Sequence, residues 1–180
     1  MAFSATLTPD PGQDLERLFR AYGSQTVYEA IGAAAVEACV THLAARDQEP
    51  NKTGFPKFHF WERVARGTRQ EVDSSGVTIV FPYPMRMKVN GGTIKPVNAR
   101  FLTIPMTAAA YGKRAREFSG LKFAVIPGIG RALVTSGPES VVMYRLVRKA
   151  VIPADPRALP PGESLLAAVR QALDEIDPGP

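Results

Sequence analysis

The spacing of apolar positions changes character along the chain. Over residues 25–46, Val27, Ile31, Ala34 and Ala38 recur at helical intervals, and a second row of Gly32, Val36, Cys39, Val40 and Leu43 widens the stripe. This predicts a long helix covered on more than one side, either by its own core or by a neighbouring subunit as well, with Ser24 as its N-cap. Shorter helices are expected over 14–22, with Leu15, Leu18 and Phe19 on one side, and within 60–73, with Phe60, Val64 and Gly67 inward. From residue 76 the period shortens. Residues 76–84 and 85–92 read as strands, the second alternating Met85, Met87 and Val89 with Arg86, Lys88 and Asn90. Asn90-Gly91-Gly92 reads as a hairpin turn. Further strands are expected in 93–97, 101–105, 121–128, 131–136 and 140–153, and an amphipathic helix over 164–176 closes the chain.

Helices thus bracket a long run of strands. That order predicts an α+β fold, a mostly antiparallel β-sheet packed against a long N-terminal helix, with a C-terminal helix. Residues 1–12, ending in the turn signal "PDPG", read as a flexible N-terminal arm, and 13–180 as one domain. No unbroken run of about 18 apolar residues occurs, which argues against a membrane-spanning helix. The single cysteine, Cys39, excludes an internal disulfide and fits synthesis in a reducing cytoplasm.

Charge adds an asymmetry. Residues 1–51 balance to −4, residues 52–122 to +9, and residues 123–180 to zero. A basic middle of this kind suits DNA, RNA or the acidic face of another subunit, or it is simply a solvated surface.

Catalytic and metal chemistry is thinly supplied. Cys39 and His42 lie three apart on the expected long helix, and His59 and Glu62 share helical spacing, but no set matches a zinc pattern. No serine sits in a G-x-S-x-G setting, and carboxylates are scarce in the β section. "PGIGRALVTSG" lacks the lysine and the strand–loop–helix order of a phosphate loop, and reads as a hairpin. The sequence therefore predicts a protein with no catalytic residues, cofactor or metal, and not an enzyme. Basic residues interleaved with Phe55, Phe58, Phe60, Trp61, Tyr83 and Tyr111 leave nucleic-acid binding as an alternative, although no recognised module is present.

The densest basic cluster is "AYGKRAREF", residues 110–118. Tyr111 and Phe118 flank Lys113, Arg114 and Arg116, and Gly112 permits a bend. Its context is an ordered set of motifs: Gly91, Gly92, Ile94 and Pro96; then Leu102, Ile104 and Pro105; then this loop; then Val151, Ile152, Pro153 and Pro156 before the last helix. Over roughly residues 25–176 this order resembles the phage virion-morphogenesis, or tail-completion, proteins of Mu-like prophages. The resemblance implies a structural virion protein that completes the tail and joins it to the head connector. Such a protein forms a ring of copies of itself, possibly a hexamer, contacting the tail tube protein and head–tail connector proteins. DNA would pass through its lumen without specific binding, and no membrane is involved. It would be found in the virion tail or neck, and in the host cytoplasm during assembly. The assembly interface is then expected at Gly91, Gly92, Ile94, Tyr111, Gly112, Lys113, Arg114, Arg116 and Phe118. Their cations would meet acidic surface on a neighbour, the arginines in bidentate fashion.

Overall fold

The computed structural model describes residues 3–7, 13–50, 54–56 and 58–177, with side chains from Leu15 onward. The fold is α+β, with a long N-terminal helix, antiparallel sheets and a C-terminal helix. The chain divides into two compact units. Unit 1 comprises residues 1–49, 59–90 and 154–180, and unit 2 residues 50–58 and 91–153.

Unit 1 is organised by helix α2, Ser24–Gln48, which follows the short helix α1, Gln13–Tyr22. Gly23, at φ 82°, separates the two and occupies the cap position expected of Ser24, which is already helical. Val27, Ile31, Ala35, Cys39 and Leu43 of α2 are buried, one residue per turn, and Gly32 adds a point of close approach. The expected row through Ala34 and Ala38 lies beside this line, half-buried. By length and composition alone α2 could cross a membrane, with a mean hydropathy of 1.2 over 18 residues, so scanning for an unbroken apolar run misses that property. In unit 1 its buried line packs with Leu15, Leu18, Val64, Val77, Ile79, Phe81 and Met85.

Three antiparallel strands lie in this unit in the order β1–β3–β2: β1 is Phe3–Leu7, β2 Arg69–Asp73 and β3 Gly76–Phe81. The segment read as an arm therefore contains a strand, paired from Phe3↔Phe81 to Leu7↔Val77; residues 8–12 lie outside the described residues. Helix α3, Phe60–Arg66, stops at Gly67, and the rest of the segment read as helical forms β2.

A second correction falls on residues 85–90, which form a helical turn, α4 (Met85–Asn90), where alternation predicts a strand. Pro82 and Pro84 provide the carbonyls that receive the Met85 and Met87 amides, starting the helix at once. Over six residues a period of two and one of 3.6 share most of their apolar positions, and only Met85 is fully buried. Asn90-Gly91-Gly92 is accordingly a helix stop, Gly91 taking φ 67°, and not a hairpin turn. The closing helix α5, Gly162–Ile176, packs on α2.

Unit 2 holds two small antiparallel sheets. Strand β4 (Gly92–Ile94) pairs with β9 (Ala150–Ile152), Gly92 opposite Ile152 and Ile94 opposite Ala150. The four-stranded sheet runs β5–β8–β7–β6, from β5 (Leu102–Pro105) through β8 (Val142–Val147) and β7 (Gly130–Val134) to β6 (Lys122–Ile126). Its buried core is slight: Ala110, Ala132, Met143 and Tyr144.

Candidate assembly surface

The basic loop is built on unit 2's small core. After β5, Thr107 turns the chain; its carbonyl accepts the Ala110 and Tyr111 amides, and its hydroxyl oxygen lies 3.2 Å from the Ala110 amide. Ala110 is fully buried, and beneath it Tyr144 of β8 is 1% exposed. The Tyr144 hydroxyl donates toward two loop carbonyls, Ala110 at 3.2 Å and Lys113 at 3.0 Å. Burial, then the nearby Glu117 charge, hold its pKa above the usual phenol value, so at neutral pH it remains a donor. A one-turn 3₁₀ helix, Ala115–Glu117, ends the loop; the Glu117 carboxylate accepts the Arg114 amide at 3.0 Å, and the Glu117 amide returns to the Arg114 carbonyl at 2.9 Å.

The aromatic anchors take two sides. Phe118 meets Tyr144 edge-on at 6.0 Å, and the Lys113 ammonium sits 5.5 Å above the Phe118 ring. Tyr111 packs against Phe55 at 5.4 Å and edge-on against Phe58 at 6.1 Å. Gly112 has φ 78°, and a Cβ there would come within 2.7 Å of the Phe58 ring, so glycine is required by both backbone and space. Lys113, Arg114 and Arg116 are exposed on this braced frame.

The remaining expected interface residues lie apart in sequence but in the same unit. Gly92 and Ile94 are in β4, and Gly91 immediately precedes it. The structure joins the Gly92–Ile94 motif to the late Val151-Ile152 motif as paired strands, a connection that spacing alone does not reveal. Ile94 and Val151 are exposed, as are Val97, Ile104, Met106, Phe123, Val125 and Val141. Among its described residues, unit 2 thus exposes more large apolar side chains than it fully buries.

The division into units sharpens the charge asymmetry. Unit 2 carries twelve basic residues against two acidic ones, Glu117 and Glu139, a balance of +10, which leaves unit 1 at −5. Every ion pair among the described residues is in unit 1. Arg46, for example, reaches Asp155 at 2.5 Å and Glu49 at 2.8 Å while stacking 5.0 Å over Trp61. Among the described residues none of unit 2's cations meets a carboxylate at ion-pair distance.

A second cluster, in unit 1, brings Asp47, His59 and Glu62 together. Asp47 is almost fully buried near the end of α2, and its Oδ1 accepts the Trp61 and Glu62 amides at 3.2 and 3.3 Å. Its Oδ2 lies 2.8 Å from His59 Nδ1, and that nitrogen is 3.4 Å from Glu62. Burial raises the Asp47 pKa, but the His59 hydrogen bond, the Glu62 amide, the His59 charge and the Trp61 amide outweigh it and hold the carboxyl below its usual range. The geometry is that of a helix cap supplied from a distant element: Asp47 satisfies the first amides of α3, and His59, at φ 46°, braces it. Sequence reasoning reached His59 and Glu62 but not Asp47, which sits 12 residues before His59. Cys39 is buried, its thiol pushed up to about 11 by burial, and His42 Nε2 is 2.9 Å from the Arg157 carbonyl, so the two point to separate structural tasks.

No protein-family profile, curated protein or solved structure matches this chain.

Proposed function

We propose that this chain is a non-enzymatic structural protein of a phage particle, completing the tail and joining it to the head connector as a ring of identical copies. Its neighbours would be the tail tube protein and the head–tail connector proteins, with DNA passing through the lumen. The observation that carries the reading is unit 2's balance of +10, unaccompanied by any ion pair among its described residues, on a unit that exposes more large apolar side chains than it fully buries. Cations without a carboxylate partner among the described residues, and bare apolar side chains on the same body, suit a surface completed by partners. The ordered motifs supply the class of partner. The 110–118 loop supports an assembly role because Tyr144, Phe58 and Gly112 fix its backbone, so Arg114 and Arg116 are presented without a large ordering cost.

The test is the assembly mass of the purified protein across a concentration range, with images of the same sample, repeated for an Arg114→Glu/Arg116→Glu variant. Closed rings of one copy number, lost or weakened at least tenfold in the variant, are expected. Normal particle yield from the variant would remove the loop from the interface.

The same cations, without an ion pair among the described residues, together with Phe58 48% exposed beside Tyr111, favour a second reading as a nucleic-acid-binding accessory protein. Retention on DNA at two salt concentrations separates the readings, because phosphate-driven binding falls steeply with salt.

A further inference from the structure

Strand β6 is an open edge. It ends the β5–β8–β7–β6 order, pairs only with β7, and its outer side has no hydrogen bond to backbone among the described residues. Proteins blunt such edges with proline, charged side chains, bulges or very short strands. The opposite edge, β5, ends in Pro105; β6 reads Lys-Phe-Ala-Val-Ile, its one charge at the first residue and no proline within it, and the sheet's one register shift lies between β7 and β8. Phe123 and Val125, two apart and therefore on one face, are 58% and 69% exposed. An edge free of proline and bulges, charged only at one end and with an apolar face beside it, is a surface that accepts another strand.

Charge selects the occupant. A second unit 2 would bring one body of +10 against another, which disfavours pairing of β6 with β6. Unit 1 carries −5, and its sheet has two edges, β1 and β2. Strand β1, Phe-Ser-Ala-Thr-Leu, has no charge, whereas β2, Arg-Gln-Glu-Val-Asp, exposes Arg69, which pairs with Glu71 at 2.7 Å, together with Glu71 and Asp73, a balance of −1. Like β6, β2 is five residues long and its outer side has no backbone partner among the described residues.

We propose that β6 takes strand β2 of a second copy of this chain, antiparallel, extending unit 2's sheet into the acidic unit of the neighbour. With the strands centred on each other, Ala124 faces Glu71 of the partner subunit. Phe123 then lies beside Val72 of the partner subunit, and Lys122 beside Asp73 of the partner subunit, pairing an apolar and an ionic couple across the junction. The contact joins two different patches, so a pair of copies keeps one free β6 and one free β2 between them. Association therefore continues head to tail and either closes into a ring or runs on as a filament. This contact uses a different surface from the 110–118 loop and stands whether or not the protein belongs to a virion.

The experiment uses the full chain in a Cys39→Ala background, with Ala124→Cys and Glu71→Cys placed in separate proteins. On mild oxidation of an equimolar mixture, disulfide-linked heterodimers are expected in at least tenfold excess over either homodimer. In parallel, Val125→Lys, at an exposed position that leaves the core intact, is expected to raise the concentration needed for half-assembly at least tenfold, with an unchanged circular dichroism spectrum. Three results overturn the proposal: a protein monomeric at all concentrations, homodimers of the A124C protein as the main product, or assembly unaffected by V125K.

Discussion

At the residue scale, the two best-supported side chains were the least visible in the sequence. Tyr144 stands 31 residues from Lys113, and nothing in the spacing announces that its hydroxyl holds the loop. Tyr144→Phe keeps the ring and removes the hydroxyl; about 1 kcal/mol of stability should be lost. Faster amide exchange should be confined largely to residues 108–118, while uniform acceleration across unit 2 would mean the ring, not the hydroxyl, organises the loop. Asp47 is the parallel case in unit 1. Its replacement by alanine leaves two amides of α3 without an acceptor and should cost about 1–2 kcal/mol in urea unfolding. Because the folded carboxyl is held below its ordinary value, this contribution is present above the unfolded pKa of about 4 and is lost as pH falls through the folded value. The gap between wild type and D47A should therefore be full at pH 7 and close as the medium becomes acid. A gap that is constant with pH would show that the negative charge on Asp47 contributes nothing.

At the element scale, legibility followed length. Helix α2 has 25 residues, enough for its period to declare itself, and α5 was found for the same reason. Strand β3, with its β-branched run, is equally plain, whereas the one strand expected over 140–153 divides into β8 and β9, which pair in different sheets. What misled were six-residue and shorter stretches: α4, where two prolines and not periodicity decide the conformation, and β2, whose charged Arg-Gln-Glu-Val-Asp reads as a continuing helix until pairing with β3 is known. Glycine in the middle of α2 falls within the expected apolar stripe, but its role is spatial. A Cβ on Gly32 would fall 2.3 Å from Gln70 Oε1 and 2.9 Å from Val77 Cγ1, where α2 rides closest to β2 and β3. Gly32→Ala gains about 1 kcal/mol of intrinsic helix preference and meets about 1–3 kcal/mol of overpacking. The Gln70 tip can move, having no hydrogen-bond partner among the described residues, but the Val77 methyl is in the core. The expected balance is a loss of about 1 kcal/mol, read as a lower thermal midpoint. A higher midpoint would mean that the sheet yields to the helix.

At the scale of the whole molecule, the sequence showed a basic middle but drew its boundaries by position along the chain. The fold redraws them: Arg63, Arg66, Arg69, Arg86 and Lys88 go to the acidic unit, while Arg131, Arg145, Arg148 and Lys149 join the basic one. Unit 2 is left with +10 and four buried core residues, and self-repulsion of that density weakens a compact state. Salt shortens the reach of the repulsion from about 30 Å at 0.01 M to about 8 Å at 0.15 M. Unit 1 has the opposite response, since salt also screens the ion pairs it does possess, such as Arg17 with Asp177 at 2.7 Å. The two units should therefore part company in a salt titration. Trp61, the single tryptophan, reports unit 1 by its fluorescence, and the amides of Val142–Val147 report unit 2 by their exchange rates. Raising sodium chloride from about 0.01 to 0.15 M should increase protection in β8 several-fold while the urea midpoint seen by Trp61 stays level or falls. Equal movement of both reporters would mean that the charges act on the protein as one body, and that the open cations of unit 2 impose no local strain for a partner to relieve.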